Sequence, residues 1–179
     1  MLIRKRWAAI VAAAAVVSCP SVHAAEASAN LHHITGGGEA EPVGSVTFTD
    51  SEYGLIVTPA LENLQSRGLH GTHIHANPDC GATRMGDHMM PGGAAGGHYD
   101  PEQAGRHAGP YGDGHLGDLP NLTVEDDGSA ATPVLAPRLT VADLEGRAVM
   151  VHAEVDRYDD HGTHHHGKGG MRMYCGVIE

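Results

Sequence analysis

Apolar and polar residues alternate in short runs along most of the chain, the period of half-buried strands rather than helices. Residues 45–49 place Val46 and Phe48 on one face, and 55–58 follow a 50–54 turn as a partner strand. Residues 31–34 form a shorter first strand, with 25–30 read as a polar leader and Gly36, Gly37, Gly38 and Pro42 as punctuation. Residues 61–67 are a connection, and 69–75 a further strand. From 76 to 119 periodicity disappears into Gly, Pro, His and Asp. A structureless loop of this length in a compact domain needs something to order it. Alternation returns at 122–125, and Asp126-Asp127-Gly128 predicts a hairpin turn to a return strand at 130–135. Residues 137–145 are another connection. Residues 148–153 put Ala148, Met150 and His152 on one face; 156–170 is a second polar loop, and 171–178 closes the chain as a strand. There is no long helical pattern, internal repeat or linker. Short strands and two long loops predict an all-β antiparallel sandwich or barrel.

The strand Leu69-His70-Gly71-Thr72-His73-Ile74-His75 carries the first chemistry. Side chains alternate along a strand, so His73 and His75 share a face, roughly 6–7 Å apart. Two imidazoles at that spacing can converge on one ion, and imidazole suits copper and zinc. His70 falls on the other face and is left out of the ligand set. The long loop adds His98, His107 and His115, each among small residues, with Asp118 three positions after His115. Glycines let such a backbone fold tightly enough for the rings to meet. Three histidines and an aspartate make a closed four-ligand zinc set, and ligation would supply the organiser the loop lacks.

Composition adds an address and excludes some partners. Arg4, Lys5 and Arg6 precede an apolar run from Trp7 to Val17, followed by Val22-His23-Ala24. This is the pattern of a signal peptide cleaved after Ala24, leaving a domain at 25–179. The run is too short for a transmembrane anchor. Val16-Val17-Ser18-Cys19 is a weaker lipobox alternative that would place a lipid anchor on Cys19. Removing 1–24 takes away three positive charges and no negative ones, moving the formal charge from −11 to −14. That acidity argues against nucleic acid or an anionic membrane as partner. Cys80 and Cys175 then remain as an even pair in an exported chain, predicting a disulfide that closes a loop of about 95 residues.

Six runs in order now carry a resemblance that extends over about 31–179. They are Gly71-Thr72-His73-Ile74-His75, Ala95-Gly96-Gly97-His98-Tyr99-Asp100-Pro101, Gly114 to Pro120, Ala136-Pro137-Arg138-Leu139, Val149-Met150-Val151-His152 and Cys175-Gly176-Val177-Ile178. The sequence resembles copper/zinc superoxide dismutases of the bacterial periplasmic type. The resemblance implies an eight-stranded Greek-key sandwich. It implies copper on His73, His75, His98 and His152, and zinc on His98, His107, His115 and Asp118, with His98 bridging the ions and carrying a proton. Asp156 matches a carboxylate that orients a copper-side and a zinc-side histidine, and Arg172 matches an arginine beside the copper that receives the superoxide anion. The implied activity converts superoxide to oxygen and hydrogen peroxide, in a periplasmic or secreted monomer or homodimer.

The chain departs from the family pattern in places. Thr72 stands where Phe is usual, and Glu154-Val155 replace a common Gly-Gly. Asp159-Asp160-His161-Gly162-Thr163-His164-His165-His166 and Gly86-Asp87-His88-Met89-Met90 have no counterpart. His161, His164, His165 and His166, with His88, Met89 and Met90, are candidates for auxiliary metal capture, the other reading being solvated loop composition. They keep a periplasmic copper/zinc-binding or copper-delivery protein on the same scaffold as the alternative function.

Overall fold

The computed structural model describes residues 24–159 and 169–179. The chain opens with three antiparallel neighbours, β1 (Glu26–Thr35), β2 (Gly38–Ser51) and β3 (Gly54–Leu61). Next come β4 (Gly68–His70) and β5 (Thr72–His75), the hairpin strands β6 (Thr83–Met85) and β7 (His88–Met90), and the short strands β8 (Leu122–Val124) and β9 (Val134–Ala136). The last two are β10 (Ala148–His152) and β11 (Arg172–Val177). One seven-stranded sheet runs β5-β10-β11-β1-β2-β3-β9, while β4 pairs with β8 and β6 with β7. The final strand thus lies beside the first. With β4 and β5 taken as one strand interrupted at Gly71, and the β6–β7 hairpin set apart, the described residues form eight strands.

Two predictions are corrected. The polar leader is the first half of β1: Ala27 pairs with Phe48 and Ala29 with Val46. Alanine is a weak apolar signal, yet it suffices where the partner strand supplies the bulk. The turn at 125–129 forms, with the Gly128 amide donating to the Glu125 carbonyl at 3.0 Å, but it joins no hairpin. Instead β8 pairs with β4 and β9 with β3, so the chain crosses over at this point. The turn residues specify local reversal, and burial decides the pairing.

The main core gathers Leu31, Phe48, Leu55, Leu61, Ile74, Leu119, Leu139, Leu144, Val149 and Val151. Neither β5 nor β10 has an exposed residue. Their inward side chains, such as Ile74, Val149 and Val151, fill this core. On the opposite face Ala148 and Met150 meet Ile34, Cys80, Ala95 and Cys175 in a second cluster. The Cys80–Cys175 disulfide, with Cα atoms 5.8 Å apart and 95 positions apart in sequence, ties the long loop to β11.

The loop is also hydrogen-bonded to β5. With β10 on one side, β5 has a free edge on the other, and two loop segments fill it. The Tyr99 amide donates to the Ile74 carbonyl at 2.8 Å, the Ile74 amide to Gly117 at 2.8 Å and the Leu119 amide to Thr72 at 3.2 Å. This edge pairing satisfies backbone groups that would otherwise be buried and unpaired. It also sets His98 opposite His75 and Asp118 opposite His73.

Candidate metal centre

His73 and His75 project from the outer face of β5, and His152 from the end of β10. His98 is brought alongside by the loop segment paired to β5. One nitrogen from each of these four rings lies within 4.8 Å of the others. The far nitrogen of three rings is anchored. His75 Nδ1 donates to the Gly96 carbonyl at 3.0 Å, His152 Nδ1 to the Gly170 carbonyl at 3.0 Å, and His73 Nε2 to Asp156 Oδ2 at 2.7 Å. Each bond selects a tautomer and leaves one lone pair. Those remaining atoms, His73 Nδ1, His75 Nε2 and His152 Nε2, are buried with no hydrogen-bond partner. Burying polar atoms unpaired is costly. Lone pairs aimed at one point fit a cation.

Electrostatics agrees. Burial, reinforced by the neighbouring imidazoles, holds His73 and His75 well below the ordinary 6.5. Burial is also the main reason His152 is lowered to about 3, with His98 and Arg172 adding to it against the Gly170 carbonyl. Neutral imidazole is the metal-binding form.

A second group adjoins the first. His73, His98, His107 and Asp118 also each place a ligand atom within 4.8 Å of the others. Asp118 is the hub. Its Oδ1 lies 2.8 Å from His98 Nδ1 and 3.5 Å from His115 Nδ1, and its Oδ2 lies 2.9 Å from His107 Nδ1. Burial opposes ionisation of Asp118, but hydrogen bonds from His107 and His98 outweigh it and hold the carboxyl far below the usual range. Burial likewise opposes the charge on His107, and the two carboxylates Asp118 and Asp156 overcome it, raising the imidazole to about 9. His115, expected from the sequence in this set, stands just outside the tight group, with its ring 5.2 Å from that of His98. His73 joins because its ring stacks on His98 at 3.9 Å.

Residues 43–178 match the family model for copper/zinc superoxide dismutase. The chain belongs to the copper/zinc superoxide dismutase family. It is 51% identical over 141 residues to the superoxide dismutase [Cu-Zn] of Pasteurella multocida, covering 78% of this chain and 75% of that protein. The Cu/Zn superoxide dismutase from Brucella abortus superposes with a TM-score of 0.82 at 38% identity, over 87% of this chain and all of that one. The monomeric copper, zinc superoxide dismutase from Salmonella enterica gives 0.76 at 42% identity, over 87% of this chain and 100% of that one.

Within this superoxide dismutase scaffold, two further residues border the histidine groups, Arg172 and Asp156. Arg172 sits opposite His152 in the β10–β11 register. Its guanidinium donates to the Gly92 carbonyl at 2.5 Å and to the Gly96 carbonyl at 2.6 Å. Asp156 links the two metal groups, accepting from His73 at 2.7 Å and from His107 Nε2 at 2.7 Å.

Three residues have supporting roles that the sequence reading did not give. His70 is buried, and its Nδ1 donates to the His152 carbonyl at 2.8 Å. It thus braces the end of β10 from the face opposite His73. Asn121 exchanges hydrogen bonds with the Asp156 backbone at 2.8 and 2.9 Å, and its amide donates to the Tyr158 hydroxyl at 2.7 Å. The Tyr158 amide in turn donates to Asp156 Oδ1 at 2.8 Å. A buried carboxylate on a loop needs such bracing, but no spacing rule in the sequence points to it. His161, His164, His165 and His166 lie outside the described residues, as does Cys19. His88, Met89 and Met90 lie on the β7 strand of the hairpin, in neither metal group.

Proposed function

We propose that the chain dismutes superoxide, with copper held by His73, His75, His98 and His152 and zinc by His98, His107, His115 and Asp118. The convergence of three buried, unpaired imidazole nitrogens beside a carboxylate-anchored histidine cluster carries this reading. When bound, copper supplies a one-electron redox couple that oxidises one superoxide to oxygen and reduces a second, while zinc supplies a fixed positive charge.

Hydrogen bonding supports His98 as the shared ligand. His73 and His98 belong to both groups, but His73 Nε2 is committed to Asp156, leaving one nitrogen to give. His98 faces Asp118 through Nδ1, and Asp118 is itself a ligand of the zinc group. His98, its ring oriented by Asp118, would therefore be the residue shared between the copper and zinc sets. As the shared residue it would also hold a proton for the reduced substrate. Arg172, with two nitrogens fixed by backbone carbonyls, keeps further N–H donors for the incoming anion. In a chain of formal charge −11, a fixed local cation matters for capture. Asp156 fixes the tautomers of His73 and His107 together, so the two halves are oriented as one unit.

Export to the periplasm fits this activity. The first strand begins at Glu26, just past the proposed cleavage after Ala24, and the disulfide belongs to an oxidising compartment. Among the described residues no helix is long and apolar enough to cross a membrane.

Metal analysis of the reconstituted 25–179 chain tests the ligand assignment. The expected content is one copper and one zinc per chain. His152→Ala should lose copper and keep zinc, and His115→Ala should lose zinc and keep copper. Full zinc in His115→Ala would instead assign the zinc to the tighter group that contains His73.

A further inference from the structure

The β6–β7 hairpin carries chemistry that the dismutase centre does not use. Its strands are joined by Gly86-Asp87, with Gly86 at φ 58°, a two-residue turn that needs a left-handed first position. The register is Met85 opposite His88, Arg84 opposite Met89 and Thr83 opposite Met90. Partners across an antiparallel pair share a face. One face therefore carries Thr83, Met85, His88 and Met90, and the other Arg84 and Met89.

The two faces have different surroundings. A Cβ built on Gly36 would lie 3.2 Å from Met89 Cβ, so the Met89 face rests on the β1–β2 turn. On the other face, Met90 reaches toward Gly93, where an added Cβ would meet its Cε at 3.1 Å. Met85 is 49% exposed and His88 is exposed at the tip. Core packing explains neither. Most large apolar side chains of this protein are buried, and a methionine beside a histidine on an exposed hairpin tip has no packing task.

Directly opposed Cβ atoms stand about 4.5–5.5 Å apart and diagonal ones about 7–8 Å. Methionine's three side-chain torsions let the sulfurs of Met85 and Met90 swing to meet His88. Two thioethers and one imidazole form a soft, neutral set that suits copper(I) and discriminates against zinc. We propose that Met85, His88 and Met90 form a copper(I)-binding site on the hairpin, separate from the buried metal centre. The site stands in the segment between Cys80, disulfide-bonded to β11, and Gly92, whose carbonyl holds Arg172. It would collect copper on the chain segment that borders the centre.

The test uses the full mature chain already loaded with copper and zinc. Copper(I) is titrated in anaerobically under ascorbate, against a chromophoric copper(I) chelator, into the parent and a Met85→Leu/His88→Gln variant. Both substitutions are at exposed positions, and the histidines at 161–166 are present in both chains and cancel. The parent should take up one further copper(I) per chain that the variant does not. X-ray absorption of the parent should show sulfur bound to that copper. Unchanged dismutation and melting temperature in the variant would establish that the loss is local. Equal copper(I) uptake by the two chains, or a copper shell without sulfur, would overturn the site.

Discussion

At the level of single residues, the centre depends on which ring nitrogen is tied down and which is left over. Asp156 is the tie that spans both groups, since one carboxylate orients His73 and His107. Asp156→Asn can accept from only one of them and adds a donor where none is wanted. Metal affinity should fall roughly 10–100-fold, zinc most visibly, in a competition titration with a chelator. Arg172 acts differently, because it touches no ligand carboxylate and is held by backbone carbonyls. Arg172→Gln should keep both metals and lose roughly 10–100-fold in rate, with a weaker dependence on ionic strength. Unchanged kinetics would remove the arginine from anion capture. The pairing of His73 with His75 was legible in the sequence because the strand period puts both on one face. The same rule left His70 out of the ligand set, and it lies in neither histidine group; its bracing of the His152 carbonyl was not legible, because strand period does not say that the opposite face is buried too.

Among the elements, the decisive event is the loop filling the free edge of β5. Gly117 marks the closest approach. A Cβ there would stand 2.3 Å from the Ile74 carbonyl oxygen and 2.9 Å from the Tyr99 amide nitrogen. Gly117→Ala should push the 97–99 and 117–119 segments off β5, moving His98 and Asp118 away from their partners. Loss of zinc with retention of the β-sheet circular dichroism signal would bear this out. The disulfide holds the same loop at its other end. Removing it with Cys80→Ser/Cys175→Ser frees a closure of about 95 residues and should cost roughly 4–5 kcal/mol in denaturant unfolding. Sequence patterning found most strands here and missed the pairing of the 122–135 region. A turn signal such as Asp-Asp-Gly is local, whereas the partners of β8 and β9 are set by burial of Leu122 and Val124 and of Ala136 against distant strands. The long loop's need for an organiser was legible; that a strand edge as well as the proposed metals would organise it was not.

For the whole molecule, the buried histidines make stability depend on pH in a definite sense. Burial first, and neighbouring rings second, keep His73, His75 and His152 below 6.5. Burial likewise lowers His98, even against Asp118. The unfolded chain binds protons at these sites before the folded one does. In the metal-free protein their contribution is therefore complete above about pH 6.5 and is lost as pH falls below it. His107, raised to about 9, acts in reverse: its contribution is complete below about pH 6.5 and is lost as pH rises toward 9. The metal-free melting temperature should peak near pH 6.5, with the steeper fall on the acid side where several rings act together. Loading with copper and zinc should move the acid limb to lower pH, because ligation replaces the protons. A profile flat from pH 4 to 9 would contradict this electrostatic description. The catalytic claim is tested most directly by superoxide decay. The mature chain loaded with copper and zinc should accelerate it strongly, and His152→Ala, carried through the same loading, should abolish that acceleration. A fully loaded parent that leaves superoxide decay unchanged would contradict dismutation and leave a metal-binding protein on a dismutase scaffold.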